Sequence, residues 1–254
     1  MCVLETEGLN KRFGGVRAVE DFAFSLPAGA IYGIIGPNGA GKTTIFNVIS
    51  GIYRPDGGTV RLLGRDITGL SQHQIARAGL GRTFQNIRPF RGLTVLENVL
   101  VSLDPAAPYS FWESLLPAPR KIKVEREMRR QALDYLGLVG LAERGALRPE
   151  SLPYGLRRRL EIARALAVKP KVLLLDEPAA GLNPQEVIEL NQLIRRLNTE
   201  MGLSIVLIEH RMEVVMELCQ LIYVQNFGRT LAVGTPADIQ GNESVVQAYL
   251  GEEG

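Results

Sequence analysis

The sequence lacks the features that would place it outside ordinary globular proteins. It has only two cysteines in 254 residues, Cys2 and Cys219, which lie far apart without the spacing of a metal site. Two cysteines in so long a chain do not make a disulfide framework, so we expect a reducing compartment. No apolar run approaches the length that spans a bilayer, and acidic residues stand at the start, where a signal peptide would be basic. We therefore expect the chain neither to be exported nor to cross a membrane itself.

The chain also lacks a large net charge. Its formal charge is +2 at pH 7, with 46% hydrophobic and 22% charged residues. These values are typical of a globular protein rather than of a strongly nucleic-acid-binding one, so nucleic acid is not an expected partner. Basic residues between positions 120 and 130 alternate with Glu125 and Glu127, which favours a solvated helix face over a membrane or nucleic-acid contact.

Apolar runs alternate with helical stretches over most of the chain. Residues 18–26 and 30–35 are predicted strands, and a Gly-rich loop and a predicted helix at residues 42–49 follow them. The later strand-like runs are residues 171–175, 203–208 and 221–225. This alternation predicts an α/β fold with a largely parallel sheet and crossover helices.

Residues 93–169 break that alternation. Helices are predicted around residues 94–103, 124–136 and 157–168, joined by Pro-rich stretches at 104–108 and 116–119. A helical subdomain inserted into the α/β core fits best, so we expect a core of residues 1–92 and 170–254 with an insert at 93–169. The sequence shows no internal repeat, which indicates a single catalytic half.

The strongest local pattern is a Gly-rich loop between a predicted strand and a predicted helix. It matches the Walker A pattern at every defined position and comprises Gly36, Pro37, Asn38, Gly39, Ala40, Gly41, Lys42 and Thr43. Its glycines let backbone N–H groups surround phosphate oxygens at a helix N-terminus. We therefore predict ATP binding, with Lys42 at the terminal phosphates, the Thr43 hydroxyl on Mg²⁺ and Thr44 completing the site. A chance Gly-rich turn is the alternative.

Two adjacent carboxylates follow a buried-strand pattern at residues 172–175. They lie at the carboxyl end of the predicted strand, where open α/β sheets bind ligands. We expect Asp176 to face Mg²⁺ and Glu177 to act on the attacking water as general base or positioning group. A strand that meets solvent at an acidic turn is the alternative.

With these motifs in place, the chain resembles the ABC ATPase family over nearly its whole length. Gln85, within residues 82–86, resembles the Q-loop glutamine, which implies a contact with Mg²⁺ and a link to a helical subdomain. His210 resembles the switch histidine, which implies a contact with the γ-phosphate. Taken alone, each is an ordinary polar residue at a strand end. The resemblance implies an ATPase with a P-loop NTPase core, an N-terminal antiparallel β subdomain and an inserted α-helical subdomain.

Two further positions fit less specific family patterns. Phe13 resembles the A-loop aromatic, which implies stacking on adenine, whereas a strand aromatic packed in a small core is the alternative. Residues 180–183 resemble the D-loop, with Asn183 where many members carry Asp.

The signature region departs from the family. Its pattern is Leu-Ser-Gly-Gly-Gln, often with Tyr for the first Gly, and this chain has Leu152, Pro153, Tyr154, Gly155 and Leu156. In the family the loop crosses a dimer interface and donates hydrogen bonds to the partner's γ-phosphate. Pro153 has neither hydroxyl nor N–H, although proline suits a helix start, and Tyr154 and Gly155 remain candidate nucleotide contacts. Because a lost hydrogen bond to a charged group costs about 1.5–3 kcal/mol, we hypothesise slow hydrolysis at any site that uses this loop.

Several segments resemble the branched-chain amino-acid importer ATPases of the LivG type. They are residues 11–19, 177–184, 234–239 and 248–252, and the insert with Tyr109, Phe111 and Trp112 also suits this type. The resemblance implies a cytoplasmic protein, peripheral on the inner face of the cell membrane. The implied partners are two membrane permeases and a second ATPase subunit, either a copy of this chain or LivF-type. A substrate-binding protein is implied as an indirect partner.

Other members of the family are open alternatives. A lipopolysaccharide-export ATPase shares the C-terminal pattern less well. Soluble ABC ATPases of DNA repair or translation usually carry long coiled coils or two nucleotide domains, and the sequence indicates neither. A regulatory nucleotide-binding half that hardly hydrolyses ATP is compatible with Pro153.

Overall fold

The computed structural model describes residues 1–85, 87–103 and 119–250. Most of the predicted Pro-rich linkers, together with Tyr109, Phe111 and Trp112, lie outside these ranges, as do residues 251 and 252 of the C-terminal resemblance. The chain forms two compact units, Met1–Gln85 with Lys171–Gly254 and Asn86–Pro170. The first contains all the strands of the described residues, and the second is helical.

An antiparallel sheet is formed by the N-terminal part of the first unit. Its strands are β1 (Cys2–Phe13), β2 (Val16–Pro27), β4 (Gly57–Leu62) and β5 (Arg65–Asp66), in the order β2-β1-β4-β5. In β2 the side chains of Phe22, Phe24 and Leu26 are buried while their neighbours are more exposed. That period of two gives the sheet one face against the core, which is why residues 18–26 have a strand pattern.

The second sheet is mostly parallel. Its strands are β3 (Ile31–Ile35), β6 (Leu80–Arg82), β7 (Val172–Asp176), β8 (Ser204–Ile208), β9 (Leu221–Asn226) and β10 (Arg229–Gly234), in the order β10-β9-β3-β8-β7-β6. Only the β9–β10 pair is antiparallel. Every residue of β7 and β8 is buried, as expected for strands covered on both faces. The predicted α/β class is confirmed, and Asp176 pairs with Ile208, so the carboxyl ends of β7 and β8 meet at one edge.

The helices follow the chain between and after these strands. They are α1 (Lys42–Ile49), α2 (Gln72–Arg77), α3 (Val95–Ser102), α4 (Pro119–Leu138), α5 (Tyr154–Ala167), α6 (Pro184–Met201), α7 (Met212–Leu218), α8 (Pro236–Gln240) and α9 (Glu243–Leu250). Helix α1 has the bounds predicted for it, whereas α5 begins three residues before the predicted start. Within the described residues, no helix is both long and apolar enough to cross a membrane.

Aromatic side chains join the two sheets of the first unit. The rings of Phe24 and Tyr223 lie 4.8 Å apart, and Phe22 and Phe46 are fully buried beside them in one core cluster. Burial of each such ring contributes about 1.5–3 kcal/mol, so this cluster fixes α1 and the loop before it against both sheets.

Helices α3, α4 and α5 pack against one another in the second unit. Thr94 begins α3 with a capping box, in which its hydroxyl accepts from the N–H of Glu97. The buried Asn98 amide donates to the Phe90 and Thr94 carbonyls and accepts from the Phe90 N–H, which holds the segment before α3 in place. On α4, the exposed pair Glu127 and Arg130 lies on a solvated face, and hydrogen bonds from Arg130 and Gln131 lower the pKa of Glu127 to about 2.

Candidate active site

The Gly-rich loop between β3 and α1 is held tightly by backbone from neighbouring strands. Gly36 has φ 145°, and a Cβ there would lie 2.0 Å from the Gln225 carbonyl oxygen. Gly41 has φ 99°, and its Cβ would lie 2.1 Å from the Ala18 oxygen. Only glycine fits these positions, because other residues avoid this backbone region and the space is filled. The path of the Walker A loop is therefore fixed by β2 and β9.

Lys42 is buried at the start of α1, and its ammonium group lies inside the loop. Its Nζ donates to the carbonyl oxygens of Gly36 and Pro37 at 2.6 and 2.7 Å. The loop thus surrounds a fixed positive charge at a helix N-terminus, an arrangement suited to phosphate.

Three side chains predicted from separate motifs meet at the carboxyl ends of the strands. Gln85 Nε2 donates to Glu177 Oε2 at 2.7 Å, and His210 Nε2 lies 2.9 Å from Glu177 Oε1. The Glu177 side chain is 14% exposed and that of His210 is 37% exposed. Each oxygen of this carboxylate is therefore oriented by a different neighbour, while the group stays open to solvent.

Backbone geometry and a buried acid fix Glu177 and His210 in position. Glu177 has φ 47°, and its N–H donates to the Ile208 carbonyl at 2.9 Å. Glu209 is buried and accepts from the backbone N–H groups of Ala179 and His210 at 2.6 and 3.1 Å. Burial raises the pKa of Glu209, and these backbone hydrogen bonds oppose that rise. Glu209 thus joins the loop after β7 to the loop after β8, a role that the sequence analysis missed.

Asp176 forms a buried ion pair with Arg82. Arg82 Nη2 lies 2.9 Å from Asp176 Oδ2, and both side chains are almost fully buried. Arg82 also donates to the Ser50 hydroxyl at 2.6 Å. Burial lowers the pKa of Arg82, and the Asp176 charge opposes that shift. Arg82 was not predicted as a site residue, because the sequence of its short strand does not indicate that Arg82 pairs with Asp176.

A cleft of about 480 Å³ lies over the loop and the three meeting side chains. The predicted site residues that line it are Asn38, Gly39, Ala40, Gly41, Lys42, Thr43, Thr44, Gln85, Glu177 and His210. Its lining also includes four residues absent from the predicted set, Val16, Arg17, Ala18 and Phe227. A turn pattern with Asn226 and Gly228 around Phe227 was the available sequence signal for the last of them.

Some predicted residues lie beside the cleft rather than on its wall. Gly36, Pro37 and Asp176 belong to the supporting layer and are not among the described lining residues. Phe13 is also absent from that lining; its ring packs edge-on against Tyr53, with centroids 5.1 Å apart, and Lys11 Nζ lies 5.5 Å from the Phe13 centroid. In this structure Phe13 has the packing of a strand aromatic and is 42% exposed.

The signature segment lies in the helical unit. Pro153 is the N-cap of α5, with φ −52° and ψ 155°, and makes no side-chain cap hydrogen bond. Tyr154 is exposed, Gly155 is buried and Leu156 is half-buried. Arg157 donates to the carbonyl oxygens of Leu152 and Glu150, each at 2.8 Å, which fixes the segment before the proline. The helix start is therefore regular, but its cap lacks the hydroxyl acceptor that serine would supply.

Asn183 caps α6. Its side-chain oxygen accepts from the Glu186 N–H at 2.9 Å, and the Glu186 carboxylate accepts from the Asn183 N–H. Pro184 occupies the first helical position. This capping box accounts for asparagine at the last position of the D-loop-like segment.

A model of the family described as ABC transporter matches residues 19–180, which include the loop, the meeting side chains up to Glu177 and the signature segment. The chain belongs to the ABC transporter family. A second model, the branched-chain amino acid ATP-binding cassette transporter, matches residues 229–254 of this ABC ATPase. As a member of the family, the chain is an ATP-binding and ATP-hydrolysing subunit.

Full-length relatives of this ABC ATPase include transport proteins. It is 46% identical over 250 residues to the high-affinity branched-chain amino acid transport ATP-binding protein LivG of Salmonella typhimurium, covering 98% of each chain. It is 45% identical to BraF of Pseudomonas aeruginosa, a protein of the same description, again over 98% of each chain. A crystal structure of a nucleotide-free ATP-binding cassette from an ABC transporter matches with TM-score 0.86 and 32% identity, covering 98% of this chain and 99% of that one.

Proposed function

We propose that this chain is the ATP-hydrolysing subunit of an importer for branched-chain or related amino acids. The observation that carries the catalytic part is the convergence of Gln85 and His210 on the Glu177 carboxylate beside the Walker A loop. The substrate class is supported by the full-length similarity to LivG and by the branched-chain transporter model at residues 229–254. The C-terminal match favours this reading over lipopolysaccharide export.

The assembly that we propose is the one that the resemblance to LivG-type importer ATPases implies. The chain binds two membrane permeases from the cytoplasmic side, as a peripheral protein on the inner face of the cell membrane. A second ATPase subunit, a copy of this chain or a LivF-type protein, completes the pair, and a substrate-binding protein delivers the amino acid. ATP-driven closure of the pair moves the permeases through the helical segment, residues 93–169, and hydrolysis resets them.

Glu177 acts on the water in the proposed reaction. A Glu177 oxygen accepts the proton of the water whose oxygen attacks the terminal phosphorus, and the bond to the leaving ADP oxygen breaks. His210 and Gln85 each contact a different oxygen of this carboxylate and so fix its orientation for that proton transfer. Lys42 supplies positive charge to the phosphate oxygens, where negative charge accumulates.

The residues present fit a Mg²⁺ ion that arrives with ATP. The Thr43 hydroxyl, the Gln85 amide oxygen and the Asp176 carboxylate are oxygen donors, which Mg²⁺ prefers, and phosphates complete such sites. Among the described residues, no group of three or more His, Cys, Asp or Glu side chains is placed to hold a metal. Bound there, Mg²⁺ would neutralise charge on the phosphates.

A weakly hydrolysing regulatory half is the second candidate function. The observation that favours it is Pro153 at the N-cap of α5, where no side-chain cap hydrogen bond is made. In that case the chain binds ATP in its own cleft but contributes little to the hydrolysis of a partner's ATP.

ATPase activity with and without the Glu177 carboxylate tests the catalytic assignment. Glu177→Gln should lower turnover by about 10²–10⁴-fold while nucleotide binding persists, because it removes a general base and little volume. Glu200→Gln, on the exposed end of α6, is the matched control and should behave as wild type. A regulatory half would instead show low wild-type activity and little further loss. Co-purification in detergent then identifies the permeases and the second ATPase subunit.

A further inference from the structure

The turn between β9 and β10 exposes an aromatic ring and holds that residue in a backbone conformation that bulky residues rarely adopt. Phe227 is 86% exposed and has φ 44°. A bulky residue rarely adopts this left-handed backbone, and Asn or Gly is favoured at such a turn position. An exposed ring also gains nothing from burial. Packing within residues 1–85, 87–103 and 119–250 therefore does not offset the strain and the exposure of Phe227, and backbone strain of this kind is concentrated at functional sites.

Neighbouring backbone holds this turn rigidly against the Walker A loop. The Gly228 N–H donates to the Ala40 carbonyl at 3.1 Å, and the Glu20 N–H donates to the Gly228 carbonyl at 2.8 Å. Arg229 donates two hydrogen bonds to the Glu20 carboxylate, at 3.1 and 2.8 Å. The ring of Phe227 thus stands on a fixed support that directly contacts the nucleotide loop.

The position of Phe227 along the cleft indicates which part of a nucleotide it meets. Gln85, Glu177 and His210 form the hydrolytic group, so the terminal phosphate lies towards them. Val16 and Phe227 line the same cleft but take no part in that group, and both are largely exposed. In the order β10-β9-β3-β8-β7, the β9–β10 turn lies on the other side of β3 from the ends of β7 and β8. A nucleoside that extends from phosphates in the loop, away from the hydrolytic group, therefore extends towards these two side chains.

We propose that Phe227 is a base-contacting residue, whose ring packs on the adenosine of bound ATP with Val16 beside it. The proposal rests on ATP binding in this cleft. Aromatic rings pack well on nucleobases, and loss of such a contact weakens binding by about 5- to 150-fold. The Phe13 ring is 42% exposed beside Tyr53, so Phe13 stays a predicted contact of the base as well.

Asparagine substitution separates a role in binding from a role in folding. Phe227→Asn removes the ring but places a favoured residue in the turn, so the melting temperature should be unchanged or higher. Leu63→Asn is the matched control, because Leu63 has φ 51°, precedes Gly64 with φ 76° and joins β4 to β5 away from the cleft. It relieves the same kind of strain without touching the cleft lining.

Two ligands make the test specific for the base. Calorimetry with the full chain and Mg²⁺ should show that Phe227→Asn raises the Kd for ATP by about 5- to 150-fold and leaves the Kd for tripolyphosphate within twofold. Phe227→Trp should retain ATP affinity, and Leu63→Asn should change neither Kd. In turnover assays, Phe227→Asn should raise KM with kcat within twofold.

Two results would overturn the proposal while leaving the ATPase assignment standing. One is an unchanged ATP affinity of Phe227→Asn. The other is an equal loss of affinity for ATP and tripolyphosphate, which would mean that the turn only supports the Walker A loop. A wild-type chain that binds no ATP would refute the ATPase assignment itself, and this proposal with it.

Discussion

Restoring the family residues in the signature segment should raise ATP turnover. The perturbation is the double substitution Pro153→Ser and Leu156→Gln at the first turn of α5. The backbone at Pro153, φ −52° and ψ 155°, is already that of an N-cap, so serine fits without moving the chain. The serine hydroxyl and the restored N–H add two donors at a position that, by family resemblance, faces the partner's γ-phosphate.

The size of the expected increase in ATP turnover follows from the free energy of one hydrogen bond to a charged group. Such a bond contributes about 1.5–3 kcal/mol, which corresponds to about 10- to 150-fold in turnover when it is made only in the transition state. Stability should change far less, because a cap gains about 1 kcal/mol while loss of the proline constraint costs about 0.4–1 kcal/mol.

The assay is steady-state ATP hydrolysis by the permease complex that contains this chain, with thermal unfolding measured in parallel. Pro236→Ser, at the first residue of α8, is the control for the loss of a proline at a helix start and should leave turnover unchanged. Unchanged turnover of the double variant, with normal assembly and nucleotide binding, would refute the reasoning that Pro153 slows hydrolysis.

Three further predictions concern the first unit. Burial raises the pKa of the Cys219 thiol to about 12, so in a Cys2→Ser background its alkylation at pH 8 should be about 10³-fold slower than in the unfolded chain. Equal rates would contradict that burial. Gly36→Ala forces a Cβ to 2.0 Å from the Gln225 oxygen and should lower the unfolding free energy by about 1–3 kcal/mol, measured by urea titration. Asn183→Ala removes the α6 cap and should cost about 0.5–2 kcal/mol in the same assay, and no shift in the urea midpoint would exclude a capping role.

The site residues that could be predicted from the sequence are those whose role is indicated by the pattern of the short segment in which they lie. The Walker A loop needs glycine at Gly36 and Gly41 because backbone from other strands leaves no room for a side chain. Glu177 and His210 follow buried apolar strands, and neighbouring parallel strands bring such ends together.

The parts that sequence did not predict depend on partners distant in the chain. Arg82 ends the short strand β6 and Glu209 follows β8, and only the fold shows that Arg82 pairs with Asp176 and that Glu209 accepts from the loop after β7. The short strand β6 is too brief for a periodic signal. Phe227 was missed because a loop residue is recognisable as a site residue only after the turn is placed beside the cleft.

A transport measurement shows directly whether ATP hydrolysis at Glu177 drives amino-acid import. The measurement is uptake of radiolabelled leucine, isoleucine and valine by proteoliposomes that hold the permease complex, with its substrate-binding protein on one side and ATP on the side of this chain. We expect ATP-dependent uptake of at least one of these amino acids by wild type and a loss of about 10²-fold or more in Glu177→Gln. Uptake that proceeds equally well in Glu177→Gln, or a wild-type complex that hydrolyses ATP without importing any of the three, would contradict it.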